Sequence, residues 1–306
     1  MSAKRVTMKD IAREAGVSTA TVSYVLNYSN KEKISHETRM RIFEAANKLK
    51  YVPNMNAKSL ASKRSYMVGI IINIEAENKK SKLHNYYDLA REMQRKLNAL
   101  GYDVLLLPSK EVMKDLEIGQ KRSLDAIFIV DLDKGTFKKI ANQFYVPAIF
   151  IDGYIEDDIF YKILTDFDEV MDKAEEYLGK DYYVVMDDYS NKTSLETIEK
   201  RVPREDIFIN KYENNLREFL EKRKDKKGLV LGELLGMQLE RYVDNKNLCV
   251  VVNSEKDIML LPDTKRIIVS NREKAERAVE VMEKLLRLEN KEENNHVIYI
   301  KSLKNK

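Results

Sequence analysis

The chain has 306 residues, of which 43% are hydrophobic and 34% are charged. This length is enough for about two ordinary domains with a buried core. No window approaches the roughly 18 uninterrupted apolar residues of a membrane span, and the opening MSAKRVTMKD lacks the apolar run of a signal peptide. The single cysteine, Cys249, lies in the apolar run LCVVV, which excludes a disulfide framework. We therefore expect a cytoplasmic globular protein.

The net charge of +4 is unevenly distributed along the chain. Residues 1–66 carry 13 Lys and Arg against 5 Asp and Glu, a net charge of +8. Residues 67–306 carry 41 basic against 45 acidic residues, a net charge of −4. A basic segment of this kind suits contact with a polyanion such as nucleic acid. Charge alone fits solvated helix faces equally well, so the interpretation depends on the motifs in this segment.

Three short helices are predicted within the first fifty residues. The first begins after Thr7, with Asp10 at the third helical position in a capping-box arrangement, and ends at Gly16. The second begins after Ser18, and the third follows a polar loop. The tight turn between the first two helices and the small polar residues that open the second are typical of a helix-turn-helix unit, whose second helix can enter the major groove of DNA.

A short helical segment, NMNAKSLASKRS, follows from Asn54. Isolated helices of this length are marginal in water, so this segment is expected to fold only when something packs on it. The predicted organisation is a helix-turn-helix DNA-binding domain in residues 1–53, a hinge helix and linker in 54–66, and an α/β domain in 67–306.

The pattern of hydrophobic residues changes from Met67 onward. Apolar runs such as MVGIIINI, YDVLLLP and DYYVVMD alternate with amphipathic segments such as LHNYYDLAREMQRKLNALG. This alternation is typical of βα units that build parallel sheets buried on both faces. About 240 residues of this pattern indicate two α/β lobes.

Two separated motifs carry a resemblance to a known family. The pattern V-T-x-x-D-I-A-x-x-A-G-V-S-x-x-T-V-S-x-V-L-N stands at residues 6–27, and Y-x-P-N…A-x-S-L-A stands at residues 51–61. Both resemble the DNA-binding headpiece and hinge of the lactose-repressor/galactose-repressor (LacI-type) family. The resemblance implies a transcriptional repressor that binds a two-fold symmetric operator in double-stranded DNA as a homodimer. It implies no catalytic residues, no cofactor, no metal site and no membrane association.

The resemblance also implies roles for individual residues. The positions that would read bases in the major groove are Thr19, Ala20 and Tyr24. The positions that would bond phosphates or fix the helix on the DNA backbone are Thr7, Ser18, Thr21, Ser23 and Asn27. In the hinge helix, Ala57 and Leu60 match the minor-groove residues, with Leu60 as the wedge that kinks the duplex.

Tyr24 departs from the family pattern, because members commonly place Arg or another polar reader at this position. A bidentate Arg on guanine is the commonest specific base contact. Tyr instead offers one hydroxyl and an apolar ring face suited to the thymine methyl group. We therefore expect a half-site that departs from the usual bases of the family at this step.

The α/β region resembles the effector-binding core of the same family, a two-lobed fold of the type I periplasmic-binding-protein kind. By the family order, the first lobe comprises about 67–153 plus the helix from 272, and the second lobe comprises about 154–270. Tyr86 and Asp152 stand at positions that line the effector cleft.

Other cleft positions depart from the family pattern. The second-lobe segment that usually supplies an Arg is reduced to YSNKTSLETIEKR, and the usual Asn-Asp pair is absent from GELLGMQLER. The small-molecule effector is therefore uncertain, and a regulator controlled without an effector or by a protein partner stays as the alternative. A cytoplasmic small-molecule-binding protein or an enzyme is a further alternative.

Overall fold

The computed structural model describes residues 6–26, 34–51, 64–74, 78–109, 123–132, 146–153, 160–287 and 296–303. The chain forms two compact units, Met1–Arg64 and Ser65–Lys306. We call the first the N-terminal unit and the second the core. Within the described ranges, no helix combines the length and the apolar character that a membrane crossing requires.

The N-terminal unit is a small helical domain with its own apolar centre. Its described helices are α1 (Met8–Ala15), α2 (Thr19–Leu26) and α3 (His36–Lys48). The side chains buried between them are Ile11, Ala12, Ala15, Val22, Val25, Ile42 and Ala45. Gly16 ends α1 at a φ of 65°, in the left-handed region that favours glycine. The turn after Gly16 leads directly into α2, which gives the helix-turn-helix geometry that the sequence predicts.

The core contains two parallel β-sheets. Six strands form the first sheet: β1 (Met67–Asn73), β2 (Asp103–Ser109), β3 (Ala126–Val130), β4 (Ala148–Ile151), β5 (Tyr161–Thr165) and β11 (Val297–Ile300). Five strands form the second sheet: β6 (Tyr182–Asp187), β7 (Ile207–Asn210), β8 (Lys227–Leu231), β9 (Leu248–Val252) and β10 (Lys265–Ile268). The described strands are arranged in the order β11-β5-β4-β3-β1-β2 in the first sheet and β10-β9-β8-β6-β7 in the second. Each sheet with its helices forms one lobe.

Helices connect these strands and cover the sheets. They are α4 (Lys80–Ala99), α5 (Phe167–Leu178), α6 (Thr193–Glu199), α7 (Leu216–Glu221), α8 (Glu233–Leu239) and α9 (Asn271–Leu286). Although α9 follows the last strand of the second sheet, it packs against α4 and against β4 and β5 of the first lobe. The Asn271 side chain donates to Asp88 of α4 at 2.9 Å, and Lys96 of α4 lies 3.6 Å from Glu276.

The structure moves one predicted lobe boundary. Strand β5 pairs with β4 and with β11, so it belongs to the first lobe, whereas the sequence-based boundary near residue 153 assigns it to the second. The chain crosses to the second sheet only after β5, through α5. The sequence did not reveal this because the apolar run YKILT has the same pattern as the strands of either sheet.

Tyr183 of β6 provides a test of packing in the second lobe. Its side chain is 1% exposed, and its hydroxyl has no hydrogen-bond partner among the described residues. Burial raises the pKa of Tyr183 to about 12. A buried hydroxyl without a partner costs stability, so we expect Tyr183→Phe to raise the free energy of unfolding by about 1 kcal/mol. Thermal unfolding checks this, with the half-exposed Tyr242 as the control position: Tyr242→Phe should leave Tm unchanged. A fall in Tm for Tyr183→Phe alone would contradict the prediction.

Candidate functional site

The start of α2 is held by its capping residue. The Ser18 hydroxyl oxygen accepts the Thr21 backbone N–H at 3.0 Å and lies 2.8 Å from the Thr21 hydroxyl oxygen. Thr19 and Ala20, in the first turn of α2, are exposed. This turn carries no acidic residue. The positive end of the helix is therefore open to a phosphate group.

The two sides of α2 differ in burial. Val22 and Val25 are fully buried against α1 and α3, whereas Tyr24 is half-buried. Ala20 and Tyr24 are four residues apart, so they lie on the same face of the helix.

Thr7 has a structural role in the N-terminal unit. Its backbone N–H and its hydroxyl both donate to the Asp10 carboxylate, at 2.9 and 2.7 Å. The bond from the Thr7 backbone N–H to Asp10 belongs to the predicted capping box, and both bonds fix the first turn of α1. A bond from the Thr7 hydroxyl to a phosphate would therefore have to replace its bond to Asp10. The half-buried Ser23 also belongs to α2, while Asn27, Ala57 and Leu60 lie outside the described residues.

A cavity of about 420 Å³ lies between the two lobes of the core. This volume is within the range of small-molecule sites. Its apolar lining consists of Leu89, Leu164, Phe167, Leu231, Val251 and Val269, and its polar lining includes Asn85, Asp131, Asp152, Asn191, Asn253 and Lys274. Three tyrosines, Tyr86, Tyr189 and Tyr299, also line the cavity, and the ring centroids of Tyr86 and Tyr189 lie 6.4 Å apart.

Asp131 lies at the centre of the contacts between the lobes. It directly follows β3 in the first lobe and is 1% exposed. Its carboxylate accepts the backbone N–H groups of Ser190 and Asn191, at 3.0 and 2.8 Å, from the loop that follows β6 in the second lobe. It also accepts the Tyr86 hydroxyl and lies 3.2 Å from the Lys82 ammonium. One buried carboxylate of the first lobe thus binds the main chain of the second.

Further hydrogen bonds hold the same second-lobe loop, residues 188–191. The Lys82 ammonium donates to the Asp188 carbonyl at 2.7 Å. The Asn73 side chain donates to the Ser190 hydroxyl oxygen at 2.9 Å, and the Asn191 side chain donates to the Asp152 carbonyl at 3.0 Å. This loop is therefore bound to the first lobe along most of its length.

Both predicted cleft residues line the cavity, where their polar atoms already have partners within the first lobe. Burial, and then the charge of Asp131, raise the pKa of Tyr86 well above its ordinary value. The Asp152 carboxylate accepts the Thr165 hydroxyl at 3.1 Å and the Lys274 ammonium at 2.5 Å. The structure therefore brings Tyr86 and Asp152 together but leaves them few free hydrogen-bonding positions.

Sequence reasoning missed Asp131, Lys82 and Lys274. An acidic residue immediately after a parallel strand is a recognisable signal, because ligands bind at the carboxyl ends of such strands. The two lysines gave no comparable signal, since a lysine on an amphipathic helix reads as a solvated residue. The second-lobe Arg201 does not line the cavity and instead pairs with Asp168 and Asp172 of α5.

The described residues offer neither a metal-binding cluster nor a reactive cysteine thiol. Among the described residues, no group of three or more His, Cys, Asp or Glu side chains is placed to hold a metal ion. Burial raises the pKa of the Cys249 thiol to about 12, which disfavours the reactive thiolate. The fold and the sites together define a protein with a helix-turn-helix unit ahead of a two-lobed α/β core.

Comparisons with known proteins agree with this class. The family model described as "Bacterial regulatory proteins, lacI family" matches residues 7–54. The catabolite control protein A of Staphylococcus epidermidis is 30% identical over 207 residues, which span 63% of this chain and 59% of that protein. The sucrose operon repressor of Klebsiella pneumoniae is 47% identical over 73 residues, which span 24% of this chain and 22% of that protein. The chain thus covers less than two thirds of either relative.

Solved structures show the same fold over nearly the whole chain. The crystal structure of the Lac repressor bound to ONPG has a TM-score of 0.69 at 18% identity, covering 98% of this chain and 99% of that one. The Lac repressor dimer bound to operator and the anti-inducer ONPF has a TM-score of 0.64, also at 18% identity, with 98% of each chain covered. Residues 7–54 thus match the lacI family of bacterial regulatory proteins, and the chain as a whole has the fold of the solved Lac repressor structures.

Breaking the buried pair of Lys82 and Asp131 should strongly destabilise the core. Replacing Lys82 by Met leaves the Asp131 carboxylate buried without its charge partner, which costs about 3–5 kcal/mol. The urea concentration at the midpoint of unfolding should therefore fall strongly in the Lys82→Met variant. The control is Lys192→Met, because the half-exposed pair of Lys192 with Asp188 contributes about 0–1 kcal/mol. Equal losses in the two variants would contradict this assignment.

Proposed function

We propose that the protein is a sequence-specific DNA-binding transcriptional repressor that acts in the cytoplasm as a homodimer on a two-fold symmetric operator. The observation that carries this proposal is the exposed first turn of α2, capped by Ser18 and free of acidic residues, in a unit that matches the family model. A two-fold symmetric operator follows from a dimer that presents two such helices.

The N-terminal residues divide into three roles in this proposal. Thr19, Ala20 and Tyr24 read base edges, because the first two are exposed and Tyr24 shares a helix face with Ala20. Thr7, Ser18, Thr21, Ser23 and Asn27 position the helix on the phosphate backbone. Ala57 and Leu60 act in the minor groove as parts of the hinge helix.

The second lobe carries an apolar surface that suits the partner copy in the homodimer. Tyr242, Met259 and Leu261 are about half exposed near α8. The segment bearing Met259 and Leu261 is attached to this helix region, because their N–H groups donate to Glu233 and Glu240 at 2.6 and 3.0 Å. Exposed apolar patches of this kind commonly mark interaction surfaces.

One observation favours the alternative of control without a small-molecule effector. The carboxylate of Asp131 binds the second-lobe loop directly, so the contact between the lobes does not require a ligand to bridge them. The cavity of about 420 Å³ between the lobes nevertheless has the volume and the mixed lining of an effector site. An effector, where one binds, would contact the apolar wall together with Asn85 and Asn253.

Tyr24→Arg tests the reading role of α2. An Arg at this position can form two hydrogen bonds to guanine, so selection from a random DNA pool should shift the preferred base toward guanine at one step of each half-site. Tyr24→Phe is the matched control: it keeps the ring for a thymine methyl contact and should keep the wild-type base. An unchanged consensus for Tyr24→Arg would show that Tyr24 does not read this base. The absence of any symmetric consensus for the wild type would overturn the proposed function.

Metabolite pools test the effector question. A ligand that binds the folded core raises Tm by several degrees when its concentration is far above its Kd. Pools that raise the Tm of the wild-type protein are then measured on Asn253→Leu, which removes an amide from the cavity wall. A smaller shift in this variant supports an effector in the larger cavity. If no pool raises the Tm, control without an effector is favoured.

A further inference from the structure

A second cavity, of about 130 Å³, lies where the two lobes meet and shares no lining residue with the larger one. Its wall is almost entirely polar. The first lobe contributes Asn78, Lys79 and Lys82, and the second lobe contributes Asp187, Asp188, Asn210, Lys211, Tyr212 and Glu213. We call this space the polar cavity. The proposed repressor function does not use it.

Asp187, the last residue of β6, lines the polar cavity and has one carboxylate oxygen without a hydrogen-bond partner among the described residues. Its Oδ1 accepts the Ser81 hydroxyl at 2.6 Å and the Asn210 amide at 2.8 Å. Its Oδ2 is buried and has no hydrogen-bond partner among the described residues, and the side chain is 1% exposed. A buried carboxylate oxygen in this condition calls for a donor, because the uncompensated burial of a charge is costly.

Positive charge lies on the same wall. The Lys79 ammonium lies 3.7 Å from the centroid of the Tyr212 ring, which directs it without neutralising it. The Lys211 ammonium lies 3.2 Å from Asp188 Oδ2. A purely cationic ligand would meet these ammonium groups, and a purely anionic ligand would meet the carboxylates of Asp187 and Glu213. A molecule that carries one positive and one negative charge can pair with both kinds of group.

We propose that the polar cavity binds a small zwitterion of the α-amino-acid type, with its ammonium group toward the carboxylate of Asp187 and its carboxylate toward Lys79. The volume corresponds to about four water-sized groups, which accommodates the charged end of such a molecule and a short side chain. Because the two contacts come from different lobes, the ligand adds a tie between them beside the bond from Ser81 to Asp187.

Thermal unfolding of the full chain with named small molecules tests this proposal. Glycine, alanine and serine should raise Tm in a saturable manner, by about 3–6 °C at ten times Kd. Trimethylglycine has the same charges but no N–H donor, so it should give no shift. Acetate and methylammonium, which each carry one charge, should also give none. All compounds are used at millimolar concentrations, well below those at which osmolytes stabilise proteins generally.

Matched variants locate the effect. Asp187→Asn keeps the size of the side chain and removes its charge, so the shift with glycine should be lost, while the exposed control Asp225→Asn should keep it. Lys79→Gln, at a half-buried position, should weaken the binding of glycine at least tenfold without unfolding the core. The proposal is overturned if no amino acid shifts Tm, if trimethylglycine acts as well as glycine, or if Asp187→Asn responds like the wild type.

Discussion

The arrangement of the core depends on the buried carboxylate of Asp131. A carboxylate removed from water is stabilised only when charge and hydrogen bonds replace its hydration. The first lobe supplies the Lys82 ammonium and the Tyr86 hydroxyl, and the second lobe supplies two backbone N–H groups. Separating the lobes at this point would withdraw those N–H groups from a charged partner. The contact between the lobes is therefore a property of the chain and not only of a bound ligand.

The same loop organises the two cavities. Tyr189 and Asn191 line the larger cavity, and Asp187 and Asp188, at the beginning of the same stretch, line the polar cavity. Lys82 connects the two regions, because it pairs with Asp131 and donates to the Asp188 carbonyl. A ligand in either cavity would act on a segment that the first lobe already binds.

Local sequence signals predicted the elements well and their partners poorly. The caps at Thr7 and Ser18 and the apolar runs of the strands are short-range features, so the helices of the N-terminal unit and the parallel sheets could be predicted. The family resemblance placed Tyr86 and Asp152 in one cavity. The assignment of β5 to a lobe was wrong, because strand pairing depends on residues far away in the chain. The pair of Lys82 and Asp131 joins a helix to a strand end across 49 positions, and neither residue has a local feature that reveals the other.

In the N-terminal unit, the charged residues and the proposed base-reading residues lie in different parts of the sequence. Residues 1–66 carry the net charge of +8, yet α2 itself, TATVSYVL, contains no charged residue. Contacts of lysine and arginine with phosphates provide most of the affinity for DNA and little information about sequence. The proposed base-reading face of α2 has only small side chains and one tyrosine, so in that role base discrimination would rest on shape, a hydroxyl and an apolar contact. A single added arginine at Tyr24 would place a charge on that face, and would therefore change affinity together with base preference.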